Sequence, residues 1–307
     1  MSIPDAERVT GRIFITGSTG FVGRNLRAQL SGRPMRLLVR DASKHAGLKS
    51  ANVEIVEGDV QDRASLAGKM TGCDAVIHLV AIIDESADAT FDLNIRQGTE
   101  NVVAEAKAAG IKRFIHMSAM GAHDNPAFPY HQSKFRAEQA VKGSGIPWTI
   151  LRPSVIFGPG DGFINALADV VRAFPVIPVV GTGASRFQPV SVKEVAECFV
   201  AALDNPDTAD RIIDIGGPDV VTYEEMIDTI AKMLGKKKPK VHVPLPLMKT
   251  VVAMSKPLPA KLRPPVTSEQ LKMLALDNTS KNSGTPELIK RTPLALRDGI
   301  DYIVTGG

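Results

Sequence analysis

Residues 15–26, ITGSTGFVGRNL, decide the fold class of this 307-residue chain. They follow the short apolar run RIFIT at 12–16, and Gly17, Gly20 and Gly23 have the spacing GxxGxxG. A glycine-rich turn that opens a helix lets backbone N–H groups approach a pyrophosphate, and the helix dipole favours the negative charge. Glycines also serve ordinary tight turns, so it is the position of the motif at the first strand–helix junction that favours a dinucleotide site.

Short apolar runs alternate with longer amphipathic segments through the first half of the chain. Nearly all-apolar runs are typical of parallel strands that are covered on both faces, and the segments between them have helical spacing. This alternation predicts an α/β fold, a Rossmann-type doubly wound parallel sheet with right-handed crossovers. The predicted strands are 12–16, 35–40, 53–58, 74–80, 113–118 and 148–153, and the predicted helices are 21–30, 63–70, 94–110 and 132–145.

The pattern loosens after Pro153. A glycine-rich turn, a stretch rich in proline and glycine at 175–189, and a basic, proline-rich tail interrupt the regular segments. We therefore predict a dinucleotide-binding domain at 1–155 and a smaller mixed lobe at 156–307, which interleaves with the sheet and serves a substrate or partner. The elements predicted in this second half are helices at 163–173, 191–203 and 222–235 and a strand at 211–217.

Composition excludes several classes of protein. A net charge of +4 over 307 residues is too diffuse to favour nucleic acid as a partner. Two cysteines, Cys73 and Cys198, imply no disulfide framework. The N-terminus is polar and acidic, unlike a secretory signal, and the longest apolar runs are about half the length of a membrane span. These features predict a cytoplasmic protein.

The end of the second predicted strand bears on the choice of cofactor. A carboxylate there binds the ribose 2′-OH of NAD, whereas an arginine accommodates the 2′-phosphate of NADP. Arg40 occupies that end with Lys44 close behind, and Asp41 is the neighbouring carboxylate. The alternative for Arg40 is a solvated charge at the strand end that binds no phosphate. Asp41, as a carboxylate at this position, favours NAD instead. We favour NADP(H) over NAD(H).

The remaining cofactor contacts are expected where the other strands end. The third strand leads to Asp59 and Val60 beside the adenine, and the fourth leads to residues 79–81 beside the pyrophosphate and the nicotinamide ribose. The predicted cofactor contacts from the glycine turn and from the ends of the second, third and fourth strands are Gly17, Ser18, Thr19, Gly20, Phe21, Val22, Gly23, Arg40, Asp59, Val60, Leu79, Val80 and Ala81.

Five motifs follow one another along the chain: TGSTGFVG (16–23), GDV (58–60), HLVA (78–81), a Tyr-x-x-x-Lys at 130–134 and LRPSVIFGPG (151–160). Together they resemble the short-chain dehydrogenase/reductase superfamily in its extended or atypical, epimerase-like branch, and the resemblance covers nearly the whole chain. The longer stretches are HMSAMGA (116–122), YHQSKFRAE (130–138), LRPSVIFGPGDGFIN (151–165) and RFQPVSVKEVAE (186–197). They look most like the group that contains the nucleotide-binding accessory subunit of respiratory complex I and its bacterial relatives.

Tyr130 and Lys134 form the candidate catalytic pair. On one helix they lie one above the other at i, i+4, and an ammonium beside a phenol favours the phenolate and lowers its pKa. A helix-surface pair is the alternative. The resemblance implies that Tyr130 exchanges a proton with a substrate hydroxyl or carbonyl, while Lys134 also holds the cofactor ribose.

Ser118 and Ala119 raise a question about turnover. The family pattern has consecutive hydroxyl residues at the end of this strand, and the later one, which polarises the substrate oxygen, is Ala119 here. Ser118 stands one position early. Neighbouring side chains on a strand point to opposite faces, so Ser118 faces either the packing of the sheet or, if the strand end curls, the substrate. We retain Ser118 as an assisting catalytic residue.

Four residues of the second half complete the predicted site. The resemblance implies that Pro153 and Val155 lie over the nicotinamide and that Phe157 shapes the substrate cleft. Arg186 stands where sugar-nucleotide epimerases bind the substrate diphosphate; a salt bridge within the lobe is the alternative. The substrate itself is unknown. His78, His116 and His131 lack the spacing of metal ligands, and we predict no metal site.

The basic segment 236–265 combines lysines and arginine with the apolar run LMKTVVAM. Such a segment either packs on the protein's own core or contacts an anionic membrane surface or a partner, and the second alternative would place the protein at the inner face of a membrane. Two functions follow. The first is an SDR-type oxidoreductase or epimerase-like enzyme that uses Tyr130 and Lys134. The second is a non-catalytic accessory or assembly subunit of a respiratory NADH:quinone oxidoreductase.

Overall fold

The computed structural model describes residues 9–255, 268–274 and 276–305. Contacts divide the chain into two compact units. The first contains residues 1–153, 192–215 and 284–291, and the second contains 154–191, 216–283 and 292–307. The predicted division has one boundary, after residue 155, with a second lobe that interleaves with the sheet. In the structure the chain returns twice to the first unit, at 192–215 and 284–291, and supplies a strand and helices there.

A seven-stranded, all-parallel sheet forms the centre of the first unit. Its strands are β1 (Arg12–Thr16), β2 (Met35–Val39), β3 (Val53–Glu57), β4 (Cys73–His78), β5 (Arg113–Met117), β6 (Trp148–Pro153) and β11 (Arg211–Ile215), in the spatial order β11-β6-β5-β4-β1-β2-β3. The order reverses between β1 and β4, which is where this fold binds ligands, outside the carboxyl ends of the strands. The predicted fold class is confirmed.

Helices of the first unit pack on both faces of the sheet. Val102, Phe114 and Ile150 belong to one core cluster in which every member is buried, and the apolar character of the strands follows from this double cover. The helices are α1 (Phe21–Gln29), α2 (Arg63–Leu66), α3 (Gly98–Ala108), α4 (Pro129–Lys142), α6 (Val192–Asp204) and α10 (Thr285–Ile289), with a π-helical turn at Asp92–Gln97.

The second unit has its own core around Phe157, Phe187 and Tyr223. Three two-stranded sheets pair β7 (Ile156–Phe157) with β10 (Val190–Ser191), β9 (Arg186–Phe187) with β12 (Val221–Thr222), and β8 (Ile177–Val180) with β13 (Lys240–Val243). The β8–β13 pairing lies in stretches that were expected to be irregular. The helices are α5 (Phe163–Ala173), α7 (Tyr223–Met233), α8 (Leu245–Ser255), α9 (Ser268–Met273), α11 (Leu296–Gly299) and α12 (Tyr302–Thr305).

Candidate functional site

The glycine turn lies directly against the end of β4. Gly17 has a φ of 72°, and a Cβ there would lie 3.1 Å from backbone atoms of Leu79 and Val80. The absence of a side chain therefore brings the β1 turn onto the end of β4, at the point where the strand order reverses. The structure thus joins two of the predicted groups of cofactor residues, which are more than 60 positions apart in the chain.

The start of α1 offers free donors to an anion. Gly20 is the N-cap and no side chain caps it, while its own N–H bonds the Gly17 carbonyl at 3.1 Å. The Ser18 hydroxyl is buried without a hydrogen-bond partner among the described residues. An unpartnered buried hydroxyl is costly. Open helix-terminal N–H groups and this hydroxyl fit a pyrophosphate, so the residues present suit a dinucleotide.

Gly23 is the third glycine, and it controls how closely α1 approaches the turn. A Cβ at Gly23 would lie 2.2 Å from the Gly17 oxygen and 2.7 Å from backbone atoms of Ser18. We expect Gly23→Ala to lower the free energy of unfolding by about 1–3 kcal/mol, because backbone must move. Denaturant unfolding measures this loss. Gly47→Ala is the matched control, since an added Cβ there meets nothing within 4 Å; equal effects of the two changes would contradict the close-approach argument.

Arg40 and Asp41, the two charged residues that follow β2, differ in their surroundings. Asp41 accepts hydrogen bonds from the backbone N–H and the hydroxyl of Ser43 and pairs with Lys44 at 2.9 Å. The Ser43 hydroxyl and then Lys44 hold the pKa of the Asp41 carboxyl well below its usual range. Arg40 is exposed. The carboxylate is therefore engaged locally, while the guanidinium at the strand end is open to solvent.

A cavity of about 340 Å³ lies beside the glycine turn. Three basic side chains of this cavity were not predicted from the sequence. Arg24 and Arg27 lie on α1, whereas His45 lies on the 3₁₀ turn Ser43–Leu48, and only the folded chain brings these two segments together. Arg24 and Arg27 also donate to carbonyls of the turn. The signal that could have revealed them is the cluster of basic residues one helical turn beyond the glycines. The lining residues are Thr19, Arg24, Arg27, Lys44, His45, Gly47 and Leu48.

Asp59 and Val60 lie just past β3, as predicted. The Asp59 carboxylate accepts from the Gln61 backbone N–H at 2.9 Å. Val60 is buried against α3, where a Cβ on Gly98 would lie 2.9 Å from its methyl group. Both therefore shape this corner of the site. Their contact with adenine stays a prediction.

Tyr130 and Lys134 are both buried on α4. The Tyr130 ring lies edge-on to Phe91 at 5.6 Å and to His131 at 5.3 Å between centroids. Lys134 is only 1% exposed, and its Nζ donates to the Met117 carbonyl at 2.8 Å, at the carboxyl end of β5. The two residues are therefore not an exposed pair on the helix surface, and Lys134 contacts the end of a central strand.

Burial controls the protonation of both groups. Desolvation raises the pKa of Tyr130 to about 12 and lowers that of Lys134 to about 8, with Glu138 opposing the second shift. The expected lowering of the tyrosine pKa by the lysine is not found, because burial of the phenol raises the pKa of Tyr130. At neutral pH the phenol therefore carries its proton and the lysine its charge.

Ser118 turns toward α4. Its hydroxyl donates to the Glu138 carboxylate at 2.5 Å, and Arg152 donates to both oxygens of that carboxylate at 2.7 and 2.6 Å. Ser118 and Glu138 are buried, and the methyl group of Ala119 follows at 8% exposure. Of the two orientations considered for Ser118, the structure has the one that faces the packing of the sheet.

The π-helical turn Asp92–Gln97 was missed because its sequence reads as the start of an ordinary helix. Such turns occur frequently at functional sites. Phe91 precedes it and contacts Tyr130, while Asn94 is buried, donates to the Thr90 carbonyl and accepts from Gln61. The turn therefore links the tyrosine to the loop after β3. Gly98, which directly follows the π-helical turn, was the local sequence signal that this helix is irregular.

The predicted residues of the second half lie in different surroundings. Pro153 ends β6, and its carbonyl accepts from the Met120 N–H. In the second unit, Val155 packs against the core and Phe157 is a core residue with 1% exposure. Arg186 forms an ion pair with Asp277 at 2.6 Å, which is the alternative that the sequence left open. The roles of these residues toward a substrate stay predictions.

The histidines at the ends of β4 and β5 are buried and stacked. His78 hydrogen-bonds Thr16 at 2.6 Å and Thr99 at 3.0 Å, and its ring lies 5.4 Å from that of His116. Burial lowers the pKa of His78 to about 3 and that of His116 well below its usual value. Among the described residues no group of His, Cys, Asp and Glu side chains could hold a metal ion.

The basic segment 236–265 is described only up to residue 255. Lys240 pairs with Glu224 and Asp228, and Val252 of α8 is buried in the core of its unit. Met254, on the same helix, is 73% exposed. Within the described residues, no helix combines the length and apolar character that a membrane crossing requires.

Three comparisons identify relatives. Residues 17–206, more than half of the chain, match the model of the NAD(P)H-binding family. A ceramide reductase of Caulobacter vibrioides is 31% identical over 80% of this chain and 77% of its own length. NADH dehydrogenase 1 alpha subcomplex subunit 9 of Arabidopsis thaliana is 30% identical over 84% of this chain, which spans 66% of that relative, slightly less than two thirds.

A solved structure shows the same fold. The dTDP-glucose 4,6-dehydratase of Streptomyces venezuelae, crystallised with NAD, has a TM-score of 0.72 and 20% identity, with 96% of each chain covered. At that identity the likeness concerns the fold alone. The family match, the relatives and the glycine turn at the sheet reversal agree with the resemblance found in the sequence. The chain belongs to the NAD(P)H-binding family.

Proposed function

We propose that the protein is an NADP(H)-dependent oxidoreductase or epimerase-like enzyme in which Tyr130 transfers a proton with the help of Lys134. The observation that carries this proposal is that Tyr130 and Lys134, one helical turn apart on α4, are both buried, with Lys134 at the carboxyl end of β5. Burying an ammonium is expensive, and perturbed groups of this kind concentrate at functional sites. When bound, the nicotinamide supplies hydride transfer.

The chain's own residues define the direction of proton movement. With its pKa raised to about 12, the Tyr130 phenol retains its proton at neutral pH and serves as a donor to a carbonyl oxygen. The Lys134 ammonium, one turn away, stabilises the phenolate that remains. The rings of Phe91 and His131 hold the phenol in place. This arrangement favours reduction of a carbonyl group.

The basic cavity beside the glycine turn supports NADP(H) as the cofactor. Arg24 and Lys44 line it, Arg40 is exposed at the nearby strand end, and Asp41 is engaged by Ser43 and Lys44. A 2′-phosphate would meet cations there. A free 2′-OH would find no unengaged carboxylate at Asp41.

Paired titrations with NADPH and NADH test this preference. We expect Arg24→Ala and Arg40→Ala each to weaken NADPH binding about tenfold or more, because each removes a charge-assisted contact to phosphate. NADH binding should change by less than about twofold. Lys107→Ala is the control, since it deletes an exposed charge in the last turn of α3. Equal losses for both cofactors would rule out recognition of the 2′-phosphate.

The second candidate is a non-catalytic, NADP(H)-binding accessory or assembly subunit of a respiratory NADH:quinone oxidoreductase. Ala119 and the engagement of Ser118 by Glu138 favour it, as does similarity to the Arabidopsis subunit. The segment 236–265 would then contact the respiratory partner or an anionic membrane surface.

One experiment separates the two candidates. The purified protein is denatured, any released nucleotide is identified, and the apo form is loaded with NADPH and offered a panel of carbonyl compounds. Oxidation of bound NADPH supports the enzyme. Tight binding without oxidation by any compound favours the subunit, and capture of a respiratory subunit by the full chain would then test it.

A further inference from the structure

A buried carboxylate extends the candidate pair along α4. Tyr130, Lys134 and Glu138 follow one another at intervals of four residues, so they share one stripe of the helix. Glu138 is fully buried, yet no substrate role was assigned to it. It is the charged group that acts on Lys134, where it opposes the lowering of the pKa by burial.

Two other elements hold this carboxylate. Ser118, just past β5, donates its hydroxyl at 2.5 Å, and Arg152 of β6 donates through Nε and Nη2 at 2.7 and 2.6 Å. A bidentate arginine with an added hydroxyl satisfies both oxygens of a buried carboxylate. The position of Glu138 is therefore set by three elements that meet at the carboxyl ends of β5 and β6.

We propose that Glu138 is a positioning residue of the Tyr130–Lys134 site, whose carboxylate, held by Ser118 and Arg152 one helical turn from Lys134, keeps the Lys134 ammonium charged. The proposal rests on the function proposed above. It also gives the displaced hydroxyl a purpose: Ser118, one position before the substrate-polarising place of the family, holds the carboxylate that supports the lysine.

The groups around Lys134 leave Glu138 as its source of negative charge. On α4 the neighbours are Tyr130, neutral at pH 7, and Glu138. From the sheet, His78 of β4 and His116 of β5 interact electrostatically with Lys134, and both are neutral at pH 7 because burial lowers their pKa. Arg152 of β6 is the positive charge beside Glu138, with which it is paired. Loss of the Glu138 charge should therefore act on Lys134 directly and by leaving the Arg152 cation unpaired.

Titration of Lys134 by NMR tests the proposal on the full chain with lysine labelled at its side chain. The Lys134 signal is assigned by its absence in Lys134→Met, and its midpoint is expected near the pKa of about 8. In Glu138→Gln we expect that midpoint to fall by about one pH unit, whereas Glu138→Asp, which keeps the charge, should restore most of the difference. Unchanged midpoints in Glu138→Gln would overturn the proposal.

A second variant tests the proposal if Glu138→Gln does not fold. Glu138→Gln leaves Arg152 without its carboxylate, so Glu138→Gln/Arg152→Met removes both charges of the pair. Because loss of the Arg152 cation offsets part of the loss of the Glu138 carboxylate, the Lys134 midpoint should fall in the double variant by less than in Glu138→Gln. A midpoint in the double variant at or above that of the natural chain would also overturn the proposal. Because the titration needs neither cofactor nor turnover, an inactive protein with the expected shift would reject the proposed activity alone, and an active protein without the shift would reject the role of Glu138 alone.

Discussion

Replacing Tyr130 by phenylalanine is expected to slow carbonyl-dependent oxidation of NADPH by about 10²–10⁴-fold, the usual contribution of a positioned acid or base. The change deletes the proton donor and leaves the ring, which still contacts Phe91 and His131. The NADPH dissociation constant should change by less than about threefold. Single-turnover oxidation of bound NADPH by an active carbonyl compound from the panel measures the rate.

Tyr223→Phe provides the matched control. Tyr223 is also a buried phenol whose pKa desolvation raises to about 12, but it belongs to the core of the second unit. The Tyr223→Phe variant should lose stability, but its rate of NADPH oxidation should not fall comparably. If Tyr130→Phe and Tyr223→Phe react equally fast, Tyr130 is not the proton donor.

Acid is expected to destabilise the fold well above the pH at which its carboxylates titrate. Burial lowers the pKa of His78 to about 3, of His131 to about 4, and of His116 well below its usual value. These lowered pKa values mean that, between roughly pH 6.5 and 4, the unfolded chain binds protons that the folded chain does not, so stability falls as pH falls. At pH 5 His78 and His131 each contribute a loss of about 2 kcal/mol.

His116→Phe should remove the part of the acid-induced loss of stability that is due to His116. Neither ring nitrogen of His116 has a hydrogen-bond partner among the described residues, so the substitution sacrifices no bond and keeps an aromatic ring against His78. We expect the stability advantage of the variant over the natural chain to grow as the pH falls from 7 to 5, because the lowered pKa of His116 is then absent from the folded state. Urea unfolding at a series of pH values measures it.

His116→Gln separates titration from packing. The amide does not titrate, so the slope of stability against pH should change as in the phenylalanine variant, but the whole curve should lie lower because a buried polar group is retained. A slope identical to that of the natural chain in both variants would show that His116 is not the residue that takes up the proton on unfolding.

Element positions followed from local patterns with few errors. The strand predicted at 12–16 and the helix at 163–173 coincide with β1 and α5, because alternation between apolar runs and helical spacing is a property of neighbouring residues. The predicted helix at 94–110 hides a π-helical turn, since hydrophobic spacing does not distinguish a turn that is one residue wider. The predicted helix at 63–70 ends early at Leu66.

The sequence by itself determined the alternation of strands and helices that predicts a doubly wound sheet, the glycine turn after the first strand and the four-residue spacing of Tyr130 and Lys134, because each is a pattern of residues within a few positions of one another. Tertiary structure decided which partners the polar groups take: Ser118 with Glu138, 20 residues away, and Arg186 with Asp277, 91 residues away. The basic cavity likewise exists only once α1 and the turn after β2 are neighbours. The physical reason is that a hydrogen bond or ion pair is chosen by distance in space, whereas hydrophobic periodicity and glycine spacing are written along the chain.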